Sequence, residues 1–280
     1  MRLRFMARWM RILHQIPKES LPNKIKADLT PLMESPETGY TITRGPSRSL
    51  AQIHLIQAEM PKGEFTAPPN DWRYLTKTHE LLSGGKRLRI MAVGDSIIAD
   101  TMRSSWGERL MEVYPGSTVE VITYVRGGGG CQHYHVENRV EKNIIPNHPD
   151  LVFMGGISQR DPQAIRDVLH ELRAKLPGVE ILLGSGCFGK IDPRYPADWI
   201  TAKNNGGEEY RNELARIARE EKCAYLDFTP PWGEYVRASG LHPHLFYRDP
   251  VHANEFGEQI LSKILIAFFT QPVPASSGSK

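Results

Sequence analysis

Three observations in this sequence predict an α/β fold, a parallel sheet covered by helices on both faces. From Arg87 onward, short and nearly continuous runs of Val, Ile and Leu alternate with longer amphipathic stretches. Strands buried on both faces read as unbroken apolar runs, and parallel strands need helical crossovers between them. The apolar runs also stop at glycines or turns, at Gly94, Gly127–Gly130, Gly155-Gly156 and Gly184. Finally, 280 residues suffice for one such domain of roughly 200 residues with an appendage.

The elements follow in order. Residues 1–69 are rich in Pro, Thr, Ser and Arg and read as an N-terminal arm or small extension. Their strongest period-two stretch is Ile53-His-Leu-Ile56, and Pro61, Pro68 and Pro69 punctuate a linker. The main domain is expected over residues 70–269. Asn70-Asp71 can cap a helix through Leu82 that Gly84-Gly85 closes. Strand one is Leu88–Val93, followed by a helix over Thr101–Val113. Strand two, Thr118–Tyr124, runs into Arg126-Gly-Gly-Gly-Gly-Cys131, and a segment through Val140–Ile145 leads to strand three, Asp150–Met154. A helix over Pro162–Lys175 precedes strand four, Val179–Leu183; a helix over Glu208–Glu221 precedes strand five, Ala224–Phe228. The last helix covers Glu255–Phe269, and the tail 270–280, of Pro, Ala, Ser and Gly, is expected to be disordered.

Composition narrows the function. The formal net charge is +3, and Lys and Arg are dispersed rather than massed, which argues against a nucleic-acid partner. Cys131, Cys187 and Cys223 are too scattered for a disulfide framework, and no Cys-x-x-Cys pair suggests zinc. His133-Tyr-His135 lacks a nearby third ligand. Arginines interrupt every apolar run of the N-terminus, short of the about 7–15 residues of a secretory core. No stretch approaches the ~20 apolar residues of a transmembrane segment. A cytoplasmic location is therefore expected over export. Gly127–Gly130 lacks the following Lys-Ser/Thr and the spaced glycines of nucleotide-binding loops.

In such a sheet, ligands bind outside the carboxyl ends of the strands. Met91-Ala-Val-Gly-Asp-Ser-Ile97 delivers Ser96 to that edge, with its hydroxyl exposed and its N–H at a helix N-terminus. Both features suit a nucleophile that attacks a carbonyl and must then hold the oxyanion. Asp249-Pro-Val-His252, just before the last helix, spaces an acid three residues from a base, close enough to orient the imidazole toward Ser96. Each piece alone has an ordinary explanation: a capped helix at Asp95-Ser96, a cap at Asp249, a surface histidine at 252. Convergence on one sheet edge is what favours chemistry.

The chain resembles the SGNH/GDSL hydrolases, on Gly94-Asp-Ser96-Ile for the first sequence block and Asp249-x-x-His252 for the fifth, over roughly residues 87–269. Gly130, the glycine before Cys131, matches the second-block glycine. The resemblance implies a flavodoxin-like three-layer α/β/α sandwich with about five parallel strands. It also implies Ser96, His252 and Asp249 as nucleophile, base and acid, and the N–H groups of Ser96 and Gly130 in an oxyanion hole. The third block departs from Gly-x-Asn-Asp: Gly155-Gly156 is followed by Ile157, Ser158 and Gln159. Isoleucine cannot donate a hydrogen bond, so either Ser158 or Gln159 donates in its place, Gln159 being favoured for carrying the same amide group as Asn, or the hole relies on the N–H groups of Ser96 and Gly130 alone.

The expectation is a serine esterase that hydrolyses short acyl esters, implied by the resemblance to be O-acetyl groups on carbohydrate, with a small-molecule or carbohydrate ester as substrate. No metal or organic cofactor is required. An acyltransferase on the same scaffold, or a non-catalytic carbohydrate-binding module with a degenerate oxyanion hole, are the rival readings. The oligomeric state is not encoded in any feature identified.

Overall fold

A computed structural model describes residues 39–70, 72–187, 192–196 and 208–273. The expected arm up to residue 38 and the tail from 274 lie outside the described residues. Among those described, six strands form one sheet: β1 (Tyr40–Arg44), β2 (Arg87–Gly94), β3 (Thr118–Arg126), β4 (Leu151–Gly155), β5 (Glu180–Gly184) and β6 (Ala224–Leu226). Their spatial order is β1-β3-β2-β4-β5-β6. Every pairing is parallel except that of β1, which adds antiparallel to the outer edge of β3 with Tyr40 opposite Arg126. Without β1 the order is the flavodoxin-like 2-1-3-4-5, in which the chain reverses direction at the first strand. That strand is β2, and its last residue, Gly94, lies opposite Val125 on one side and Gly155 on the other.

The period-two side-chain alternation of β2 divides the core. Leu88, Ile90 and Ala92 enter one layer, and Met91 and Val93 the other. The second layer is closed by Pro162–Lys175 and Glu208–Glu220, which present Ile165, Val168, Leu169 and Leu172, and Leu214 and Ile217. The first layer holds α1 (Leu50–Glu59), α2 (Thr76–Ser83), α3 (Ser96–Arg103) and α4 (Trp106–Val113), together with two C-terminal helices, Thr229–Ser239 and Glu255–Phe269. The last helix buries Ile260, Leu261, Ile264, Leu265 and Phe268, spaced as one helical face. Each such side chain contributes about 1.5–3 kcal/mol on burial, and Phe269 stacks on Trp106 with ring centroids 5.4 Å apart.

The parallel strands fall where the apolar runs place them, within one or two residues. Five differences have physical causes. Ile53-His-Leu-Ile56 lies in helix α1, not in a strand, because Ser49 and Gln52 form a capping box whose signature outweighs the short alternation. Strand β1 was not expected, since five residues beside Pro46 carry little signal. The helix expected from Asn70 begins at Thr76 instead; Asn70 accepts from the Trp72 N–H in a turn. The single helix expected over Thr101–Val113 is two, because Ser105 adopts a left-handed backbone, φ 54°, at the junction. Its hydroxyl accepts from the Arg48 N–H at 2.9 Å, so the break is also a contact with the extension. The helix Thr229–Ser239 was missed because Pro230-Pro231 reads as a breaker, yet proline suits the first turn of a helix.

Candidate active site

Strand β2 ends in Gly94, whose carbonyl accepts from the buried Tyr134 hydroxyl at 2.6 Å. Asp95 follows as the N-cap of α3, its Oδ1 accepting from the Ile97 N–H at 2.9 Å. Its Oδ2 accepts from the N–H groups of Ile157 and Ser158 at 2.7 and 2.9 Å. One fully buried carboxylate therefore starts the helix and shapes the loop after β4. Gly156 makes this possible: its φ is +105°, and a Cβ there would lie 2.1 Å from Asp95 Oδ1. Burial pushes the Asp95 pKa up, against the lowering effect of its hydrogen bonds from Ser158, Ile97 and Ile157.

Ser96 is the first residue of α3, so its N–H has no intrahelical acceptor. On the opposite rim, the segment from Arg248 to Asn254 is wound tightly. Asp249 Oδ1 accepts from the N–H groups of Val251 and His252, both at 2.9 Å. The same carboxylate meets His252 Nδ1, 2.7 Å from Oδ2, and His252 Nε2 lies 2.8 Å from Ser96 Oγ. A neutral imidazole that donates Nδ1–H to Asp249 presents Nε2 to the Ser96 hydroxyl as an acceptor. The last helix is capped by Asn254, not Asp249, leaving the aspartate to the histidine. The backbone bonds from Val251 and His252, with the imidazole, hold the Asp249 carboxyl below the usual carboxylate range.

Gly130 packs against the third loop so closely that a Cβ would lie 2.1 Å from the Ser158 carbonyl oxygen. Its N–H has no backbone acceptor among the described residues. Gln159, expected as an oxyanion donor, makes two contacts to the neighbouring backbone. It is buried; its Oε1 accepts from the Cys131 N–H at 2.9 Å and its Nε2 faces the Gly155 carbonyl at 3.4 Å. The amide thus joins the loop after β3 to the loop after β4. Ile157, at the position where the family carries Asn, contributes its backbone N–H to Asp95 rather than a side-chain donor to the site.

All three cysteines are buried, and burial raises their thiol pKa values, that of Cys223 to about 11. Asp161 and Asp192 act as caps, Asp161 opening Pro162–Lys175 and Asp192 closing a turn on Arg194. Trp232 and Tyr235, aromatic residues that follow the later strands, are buried in the core, and Trp199 lies outside the described residues. Among the described residues, no helix is long and apolar enough to cross a membrane.

Known proteins fit this geometry at two levels. The backbone is similar to that of Axe2, an acetylxylan esterase from Geobacillus stearothermophilus, with a TM-score of 0.51 and 18% identity over 68% of this chain and 97% of that one. A two-domain esterase, CEX, active on acetylated mannans gives a TM-score of 0.55 at 15% identity over 77% of this chain. The alignment spans 57% of that longer protein. No curated protein matches the sequence. Similarity at these identities establishes the fold. Residues 92–260 match the profile of the GDSL-like lipase/acylhydrolase family, so the chain belongs to that family and is a carboxylic ester hydrolase.

Proposed function

We propose that the protein is a serine esterase that removes short acyl groups, foremost O-acetyl groups, from carbohydrate. Ser96 attacks the ester carbonyl while His252 Nε2 takes the hydroxyl proton. The imidazolium, stabilised and oriented by Asp249, then protonates the departing alcohol. The oxyanion is held by the Ser96 and Gly130 N–H groups, and water activated by His252 releases the acyl-enzyme. No step calls for a metal or organic cofactor. Gln159 holds the Gly130 loop in place through Cys131 and is not itself a donor to the oxyanion.

One observation carries this reading: His252 Nε2 lies 2.8 Å from Ser96 Oγ, although 156 residues separate them in the chain. The carbohydrate preference is supported by the shared fold with esterases that act on acetylated xylan and acetylated mannan. The test is acetate release from acetylated xylan and glucomannan beside p-nitrophenyl acetate and octanoate, with fluorophosphonate labelling. Expected are turnover of the acetyl esters, an adduct on Ser96, and loss of both in Ser96→Ala. An unlabelled Ser96 would make the protein a binding module. Acyl transfer to added oligosaccharide in preference to water would make it a transferase.

A further inference from the structure

The nucleophile and the base sit on elements far apart in sequence, α3 and the segment before the last helix. A hydrogen bond of 2.8 Å between two side chains does not fix those elements; something in the scaffold must. We propose that Asp100 is that residue, a positioning residue that binds the helix of Ser96 to the backbone of His252. The proposal rests on the reading of Ser96 and His252 as nucleophile and base.

Asp100 lies four residues after Ser96, one turn along the same face of α3. It is fully buried. Its Oδ2 accepts from the N–H of Ala253, the residue next to His252, at 3.0 Å. Its Oδ1 pairs with Arg248 at 2.7 Å, and Arg248 closes the same segment from within: its N–H donates to the His252 carbonyl at 3.0 Å and its guanidinium to the Ala253 carbonyl at 2.6 Å. A single carboxylate therefore holds both flanks of the histidine. The charge is balanced by a second guanidinium, Arg103, 2.7 Å from Oδ1 and half exposed. Glu258 of the last helix, 3.8 Å from Arg248 and 2.6 Å from Arg48, backs the cluster.

A carboxylate suits this position for two physical reasons. Leaving the buried Ala253 N–H and the Arg248 charge without their acceptor costs far more than the contact itself contributes. Loosening the segment would also move the imidazole, and misplacement by about 1 Å costs on the order of 10²-fold in rate. Arg103 is the internal contrast: it meets Asp100 with a half-exposed side chain and makes no hydrogen bond to the His252 segment among the described residues.

The experiment uses the full chain with Asp100→Ala, Asp100→Asn, Arg248→Gln and Arg103→Gln, assayed on p-nitrophenyl acetate per mole of folded protein. The downfield proton resonance of His252 Nδ1 is recorded alongside. Expected are a kcat fall of about 10–100-fold for Asp100→Ala, with KM within about twofold. Smaller falls are expected in Asp100→Asn and Arg248→Gln, and none in Arg103→Gln. The Nδ1 proton should shift or broaden in the first three variants and stay unchanged in the fourth. If Asp100→Ala does not fold, Asp100→Asn and Arg248→Gln decide. A wild-type kcat and an unmoved Nδ1 resonance in both would overturn the proposal. Should the wild-type protein show neither turnover nor labelling, the esterase reading fails. The resonance still reports whether Asp100 positions the imidazole.

Discussion

Asp95 precedes Ser96 and Asp249 pairs with His252, and the environments of these two carboxylates drive them in opposite directions. Both accept backbone N–H bonds: Asp95 from Ile97, Ile157 and Ser158, Asp249 from Val251 and His252. Asp95 is fully buried, and desolvation raises its pKa in spite of those bonds. The side chain of Asp249 is 41% exposed, so desolvation is slight and the same kind of bond lowers its pKa. Hydrogen bonding alone does not fix the sign of a carboxylate's shift; the accompanying loss of water does. The buried acid therefore suits the task of holding loops together, and the exposed one the task of remaining ionised beside a histidine.

That division can be broken from either side. The largest effect is expected at the exposed member. Asp249→Asn keeps an oxygen for the two backbone donors but presents an amide to His252, which disturbs its tautomer; kcat should fall about 10³–10⁴-fold. Its melting temperature should change little. A comparable loss of both activity and melting temperature would mean that Asp249 is structural. Asp95→Ala reverses the pattern. Three backbone donors lose their acceptor, so urea unfolding should register a loss of about 2–4 kcal/mol, with the inactivity following from a displaced third loop.

Gln159→Ala sharpens the account of the third loop. Removing a tie between Cys131 and Gly155 should cost about 1–2 kcal/mol of stability and reduce kcat by less than about tenfold. A loss of about 10²–10³-fold with unchanged stability is the size of one oxyanion donor, and would restore that role to Gln159. The smallest effect is the pH dependence. The folded pKa of Asp249 is depressed, so its stabilising contribution is complete above the unfolded carboxylate value, about pH 4, and is lost as pH falls from there. Asp95, with a raised folded pKa, has the opposite slope: its penalty grows as pH rises from the unfolded carboxylate value to the raised one, and is constant above it. The small melting-temperature difference between wild type and Asp249→Asn should accordingly shrink below about pH 4; a constant difference down to pH 3 would contradict the lowered pKa.

Much of this was legible locally. The strands β2–β6 read directly from apolar runs, since a strand buried on both faces must be apolar throughout. Gly94-Asp-Ser96 and Asp249-x-x-His252 were visible because one short segment carries each group and its own orientation. Strand β1 and helix α1 were misread or missed because their stability comes from β3 and the last helix: Tyr40 pairs with Arg126, and Gln57 bonds Gln259 at 2.9 Å. Gln159 was assigned by analogy of its amide group, and nothing local shows that Cys131, 28 residues earlier, takes its oxygen. Asp100 gave no signal at all. Its partners on the His252 segment, Arg248 and Ala253, are 148 and 153 residues away.

By itself the sequence determined the parallel sheet, the edge at which Ser96 emerges, and the short-range pairing of Asp249 with His252. Those follow from side-chain periodicity and from contacts a few residues long. Tertiary structure alone decided in which direction each carboxylate's pKa moves, where the Gln159 amide points, and which long-range contacts the His252 segment makes. Burial and long-range hydrogen bonding set each of these, and both arise only when segments over a hundred residues apart are brought together.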